Sequence, residues 1–456
     1  MAGEPGGSPR GGPGGVQSRA AAVAEMVPAR PTALLFSSLA VGQALNLISI
    51  SVCSAALGLE GFGRYGVCLL DFTLFSNVAN LASPVTGISL AVRARFSDRA
   101  FALIAGARGW ATLAAAVVYL AFEAVFRDRG MLLTALALTP ALLFSAAQLE
   151  WWSVARGKWF DLVVHRILGG GVTLALTWFL VRRHPTLIAA AGAFAGGAAA
   201  AFAYLLFRAA AGGRGLRWPW PNPLGARVRA LWQRSLPLTL AYSLEFLFLP
   251  LGFYAFRAVS GDSPFLGAYG AAYRVIVGIS QFAASLLMVL LPRLAARTDS
   301  ALPSLRRAFD GMALACAVPL AAAPFLARPL LLILFRHAGW NEATLGYGAW
   351  ALSVMGLSTY LHILRMPPIT QAMAAGRTWE YCWRLVAAGA VNAVAVAVGS
   401  RLGPPSFLPA WALGADLVFT GGWMLSLFGP GRGRWLRLAA LLAGAAAYLA
   451  WSWRWA

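Results

Sequence analysis

Runs of about 20 apolar residues recur almost from one end of the chain to the other. They lie at 33–57, 65–91, 100–124, 131–155, 160–181, 186–208, 236–257, 265–291, 305–327, 343–364, 379–400, 406–428 and 434–453. Each is long enough to cross a hydrocarbon core of about 30 Å as a helix. A membrane β-barrel would be written instead as alternating segments of about 10 residues, and none appear in the sequence. The thirteen runs predict an all-α, polytopic membrane protein. Composition agrees: 59% of the residues are hydrophobic and 12% charged, against about half and a quarter in soluble domains. The stretch "ARPLLLILFRHAGW" after the ninth run reads as an amphipathic or re-entrant piece.

The formal net charge is +21, and every basic residue except Lys158 is arginine. That bias, with so much Ala and Gly, fits a G+C-rich bacterial genome. The charges sit in short loops between runs, which points to membrane orientation and anionic headgroups and away from nucleic acid. With the N-terminus inside, the cytoplasmic segments hold 23 Arg and Lys and the opposite face 10. The expectation is a multi-pass protein of a bacterial cytoplasmic (inner) membrane, N-terminus cytoplasmic. Cys53, Cys68, Cys316 and Cys382 lie in or beside apolar segments without metal-ligand spacing, and read as small buried hydrophobes.

One short turn is written twice. "GLEGFGRYGVCLL" begins at Gly58 and "PFLGAYGAAYRVI" at Pro264, so that Gly63, Tyr65 and Gly66 map onto Gly267, Tyr269 and Gly270, and Ser76-Asn77 onto Ser280-Gln281. A second pair, Gly157-Lys158 and Gly376-Arg377, precedes the fifth and eleventh runs. An offset of 204 residues leaves six spans per half and returns each turn to the same face. Two parallel six-helix lobes related by a pseudo-twofold axis along the membrane normal follow, with one extra C-terminal helix. The organisation expected is a disordered cytoplasmic tail over 1–31, an N-terminal lobe over 32–208, a Pro/Gly/Arg/Trp-rich cytoplasmic linker over 209–234, a C-terminal lobe over 235–430, and the extra helix over 431–456. Glycine serves the turn's backbone, and tyrosine suits a membrane interface.

The GxGxYG-like turn between the first two runs, "GAYGAAYR" opening the eighth, and the Gly-basic turn after the fourth together resemble the polysaccharide exporters. These are lipid-linked oligosaccharide flippases of the multidrug/oligosaccharidyl-lipid/polysaccharide (MOP) exporter superfamily. The resemblance covers about residues 33–430. It implies a V-shaped, alternating-access carrier whose cavity is lined by spans one, two, seven and eight. The implied cargo is a polyprenyl-pyrophosphate-linked oligosaccharide, moved from inner to outer leaflet for O-antigen, capsule or exopolysaccharide assembly. Polysaccharide polymerase or ligase proteins would be its neighbours and membrane lipids its surroundings. No cofactor is implied beyond H⁺ or Na⁺ as a coupling ion.

A charge inside a span costs about 2.5–3.5 kcal/mol on insertion scales and needs a reason. On the four cavity spans stand Asp71, Glu245 and Arg274. Arg274 suits a pyrophosphate or acidic sugar, because guanidinium matches such oxygens bidentately. Glu245, near mid-span, suits a proton carrier. Asp71 and Arg274 are offset by 203 residues, so the two opposite charges are placed to face each other across the pseudo-axis, or to form structural pairs. Asn46, Asn77, Gln281 and Tyr269 suit a glycan, though Asn46 and Asn77 would serve equally as bonds between helices. Arg166 and Arg384 open the fifth and eleventh spans where they would meet an incoming pyrophosphate or a lipid headgroup. Asp416, on the twelfth span, is expected to make a structural hydrogen bond, and Arg108 to snorkel. Pro84, Pro250 and Pro292 would bend or end helices during alternation, or merely shape them statically.

Rival readings are few. A membrane glycosyltransferase or oligosaccharide ligase needs a large polar outer loop, whereas the longest outer segment, around 328–342, has Glu342 as its only acid, and no paired carboxylates or phosphate-binding loop appear. Within the same fold, a drug or cation exporter would show a more marked acidic site in the N-terminal lobe. A peptidoglycan-precursor flippase would show fourteen spans and a strongly basic cavity.

Overall fold

The structure, a computed structural model, describes residues 29–81, 98–146, 149–156, 158–211, 225–296, 301–374, 378–402, 409–414, 416–417 and 448. The tail, most of the linker, both Gly-basic turns apart from Lys158, Pro84, and the thirteenth run except Tyr448 lie outside these residues. All the described elements are helical. In chain order they are α1 (Ala29–Asn80), α2 (Asp98–Phe126), α3 (Arg129–Ala146), α4 (Glu150–Ala155), α5 (Trp159–Leu176), α6 (Leu187–Ala211), α7 (Ala226–Ser260), α8 (Pro264–Ala296), α9 (Ala301–Leu334), α10 (Glu342–Ala374) and α11 (Thr378–Leu402). Five helices among the described residues are long and apolar enough to cross a membrane.

The first of these is two spans in one. α1 breaks at Gly58, whose φ of 67° and ψ of 173° no helix contains, and a residue with a Cβ is strained there. The matching turn uses the same device. Gly261, with φ 65°, ends α7 and its N–H bonds the carbonyl of Arg257 at 2.8 Å. Ser263 then caps α8, and Pro264 supplies the fixed φ of a first helical residue. Other caps stand at the same end of the bundle. Asp128 accepts from the Met131 N–H at 3.0 Å, Thr186 from Ala189 at 3.2 Å, and Asn341 from Thr344 at 2.8 Å. This end, marked by Gly58, Asp128, Thr186, Gly261 and Asn341, is called the turn end below.

α1, α2, α3, α5 and α6 pack on one another, as do α8, α9 and α10, and α7 lies along α11. The two halves meet in a seam where α1 lies against α8 and α7, and α2 against α7. The repeated glycines make that seam. A Cβ on Gly63 would stand 2.9 Å from the Gly267 backbone nitrogen, and one on Gly267 would run into the Leu59 carbonyl. In lipid, where apolar burial drives little, such small-residue contacts are what let helices approach. Gly66 and Gly270 flank the Phe253 ring, 3.1 Å and 3.4 Å from a built Cβ.

We expect Gly267→Ala to cost about 1–3 kcal/mol or more, because backbone must part from backbone. Gly66→Ala meets a side-chain ring edge at 3.1 Å and no backbone, and should cost less. Thermal midpoints of the two variants check this, and equal losses would refute the contact.

Three expectations are revised. The "ARPLLLILFRHAGW" stretch is no separate piece: α9 runs unbroken to Leu334, with Ala327, Leu331 and Phe335 buried. The repeat tyrosines are packed inside the protein and do not present their rings on its surface. Tyr65 and Tyr269 are buried in the core, where Tyr65 donates to the Ala190 carbonyl at 3.3 Å and Tyr269 stacks edge-on to Phe253 at 5.3 Å. α7 runs continuously through Pro237 and Pro250 and begins at Ala226, inside the stretch read as linker. Cys53, Cys68 and Cys382 are buried and free.

Candidate functional site

The seam gathers most of the polar residues singled out in the sequence. Gln43, on the first limb of α1, donates its amide to the Gln281 side chain on α8, a direct bond between the halves. Asn46 and Asn77 stand half-buried on the two limbs of α1. Arg274, seven residues beyond the Gly267 contact, is close to Tyr65 of the other half. Its guanidinium carbon lies 5.8 Å from the Tyr273 ring centroid, and its buried Nη2 has no hydrogen-bond partner. The Glu245 backbone belongs to α7; its side chain lies outside what the structure describes.

Asp71 takes its guanidinium from elsewhere than Arg274. Arg127, in the α2–α3 turn, donates Nε to Oδ2 at 3.1 Å and Nη2 to Oδ1 at 3.2 Å. From the other half the Tyr254 hydroxyl donates to Oδ1 at 2.7 Å. The Arg127 guanidinium also faces the Phe122 and Tyr254 rings at 5.3 and 5.6 Å. Beside Asp71 lies Glu123, fully buried, with neither of its carboxylate oxygens hydrogen-bonded. An ion pair of this kind must be well bonded to offset its desolvation, and Asp71 is.

Glu123, Arg127 and Tyr254 were missed in the sequence. Glu123 sits at the edge of its apolar run, where hydropathy treats an acid as harmless, and Arg127 was counted as an outer-loop charge. The available signal was the pair's spacing: Glu123 and Arg127 are four apart, one turn of chain at the end of α2.

Above this cluster, at the turn end, four charges alternate in a ring. Arg64 bonds Asp128 at 2.8 Å and Asp262 at 3.3 Å. Arg257 bonds Asp262 at 2.8 Å and Asp128 at 3.9 Å. Partial burial pushes the Asp128 carboxyl up, but the Met131 N–H and the Arg64 guanidinium outweigh it and hold the group below its ordinary 3.8. Its contribution is therefore complete above that value and fades only as pH falls through the lower folded one.

At the opposite end Arg166 and Arg384 have carboxylate partners. Arg166 bonds Glu150 at 3.4 Å while its Nη1 stays buried without a partner, and His165 lies 3.3 Å from the same carboxylate. Arg384 bonds Glu380 one helical turn away. Arg108 is buried and donates to Asn80 at 2.8 Å, so it does not snorkel. Asp416 makes the expected structural bond, accepting from Ser358. Among the described residues no group of acids, histidines and cysteines is placed to hold a metal ion.

No protein-family model matches the sequence, and no curated relative does. Solved structures do match in fold. A substituted form of the MATE transporter VcmN of Vibrio cholerae aligns with a TM-score of 0.65 at 14% identity, over 94% of this chain and 99% of that one. The lipid II flippase MurJ, in an inward closed conformation, aligns with a TM-score of 0.65 at 12% identity, over 92% of each chain. A MOP superfamily transporter from Pyrococcus furiosus aligns with a TM-score of 0.64 at 13% identity, over 90% and 96%. The chain thus has the all-α polytopic membrane fold of the MOP transporters.

Proposed function

We propose that this chain is a flippase that moves a polyprenyl-pyrophosphate-linked oligosaccharide between leaflets by alternating access, with its N-terminus cytoplasmic, for a surface polysaccharide. The observation that carries the reading is Arg274: a half-buried arginine on the seam whose Nη2 is shut off from water with its donor left unfilled. Such a donor costs about 1–3 kcal/mol if nothing fills it, and a pyrophosphate oxygen would. The amides of Asn46 and Asn77, half-buried on α1, and of Gln281 on the seam would offer hydrogen bonds to sugar hydroxyls. Tyr269, sealed behind Phe253 here, would reach the glycan only when the seam opens. Arg166, with an unfilled buried Nη1 at the far end, would greet the incoming diphosphate, and Arg384 would do so by releasing Glu380. A neighbour in fold is a lipid II flippase by name, which supports a lipid-linked cargo.

A second reading has its own observation. Glu123 beside Asp71 makes a buried acidic pair in the N-terminal half, more than the lone Asp71 seen in the sequence, and this favours a cation-coupled drug exporter of the same fold. One experiment separates the two: mass spectrometry of lipid extracts from the host with the gene deleted and with a plasmid copy restored. We expect one polyprenyl-pyrophosphate oligosaccharide to accumulate on deletion and vanish on complementation. Intact surface glycan, no such lipid and a new sensitivity to cationic drugs would transfer the assignment to the exporter.

A further inference from the structure

The ring at the turn end is built to come apart without stranding a charge. Each arginine has its shorter bond inside its own half: Arg64 to Asp128 and Arg257 to Asp262, both 2.8 Å. The bonds between halves are the longer ones, Arg64 to Asp262 at 3.3 Å and Arg257 to Asp128 at 3.9 Å. Pulled apart across the seam, the ring becomes two neutral pairs. The same rule holds beneath it. Tyr254 crosses the seam to Asp71, yet Asp71 keeps Arg127 when Tyr254 leaves. The side chains are also wet enough to be resolvated, since Arg64, Asp128, Arg257 and Asp262 keep 33, 45, 18 and 24% of their surface. Below them Gly63 and Gly267 meet as flat backbone, with no side chain at either position to disentangle.

We propose that Arg64, Asp128, Arg257 and Asp262 form a separable latch, a gate that closes the turn end of the seam in the state seen here and opens by exchange of cross-half bonds for water. The proposal rests on the transporter reading but on no particular cargo. In a permanent staple the best bonds would run across the seam; here the best bonds stay within each half. Because Asp128 is held ionised by Met131 and Arg64, salt and not mild acid is the natural means of opening the latch.

The test is double electron–electron resonance on purified protein in lipid nanodiscs, with spin labels at Thr186→Cys and Ser260→Cys, both exposed and on opposite halves. Arg257→Asp with Asp262→Arg keeps the pair inside the C-terminal half but turns both cross-half contacts into like charges. It also leaves the Asp128 cap of α3 untouched. We expect a longer-distance population at least about tenfold above that of the parent, since facing like charges cost several kcal/mol. Adding Arg64→Asp with Asp128→Arg restores alternation and should return the parent distribution, which also shows that the fold survived. In 1 M salt, where screening acts over about 3 Å, the unaltered ring should shift toward the longer distance, while between pH 8 and 5 it should not. An unchanged distribution in the half-inverted protein, or no shift of the unaltered ring in 1 M salt, overturns the latch. The readout needs no substrate, so a wrong cargo would leave it intact.

Discussion

Arg274→Met should leave the protein at least as stable as the parent and stop transport. The side chain is half-buried, and its Nη2 is shut off from water yet finds no acceptor in return. Removing a buried unfilled donor removes a penalty of about 1–3 kcal/mol, and methionine fills similar length. If the arginine served a structural pair, its loss would cost about 3–5 kcal/mol. Export should fall by about 100-fold or more, because two charge-assisted bonds to a diphosphate are worth about 3–6 kcal/mol together. Thermal unfolding in detergent and the amount of lipid-linked oligosaccharide reaching the outer leaflet give the two readings. A lower midpoint with export preserved would make Arg274 a strut and remove the main support for an anionic cargo.

Arg127→Leu should do the opposite. Asp71 would lose its bidentate partner and stand beside Glu123 with no counter-charge in contact. Breaking a buried pair from one side costs about 3–5 kcal/mol, so the midpoint should drop steeply. Arg127→Leu combined with Asp71→Leu should recover most of that loss, because a pair replaced by apolar groups is often neutral. The surplus left over measures Glu123 and the stranded Tyr254 hydroxyl. If the double variant is as unstable as the single one, Asp71 and Arg127 are not coupled and the cluster has been misread. A residual pH dependence of the double variant that disappears on further Glu123→Gln would identify Glu123 as the titrating group.

Most of the helical runs, the turns at Gly58 and Gly261 and the short repeat were legible in the sequence, because each depends on neighbours in the chain. An apolar run of sufficient length must be helical in lipid, where no water satisfies a free backbone group. Gly58 and Gly261 mark turns because a positive φ is cheap only for glycine. Asp128, Ser263 and Asn341 precede helices because their side chains cap them. The repeat of Gly63 in Gly267 forecast a pseudo-twofold axis, and the contact between these two glycines gives that repeat a physical use.

Partner choice was decided by the tertiary structure. The repeat placed Asp71 opposite Arg274 with a slip of one residue, and in a helix one residue is about 100° of rotation. Arg274 lies seven residues past Gly267, about 20° from the same face, so it remains on the seam near Tyr65. Asp71 lies eight past Gly63, about 80° round, and meets Arg127 and Tyr254 instead. Glu123 and the Arg64–Asp128–Arg257–Asp262 ring were invisible for a related reason. Their members come from separate turns and helix ends, which hydropathy counts as loop charges until the fold brings those ends together. Sequence alone determined which segments enter the membrane and where they turn. The angles at which helices pack determined which charges meet, because a side chain's direction rotates faster along a helix than any repeat register can track.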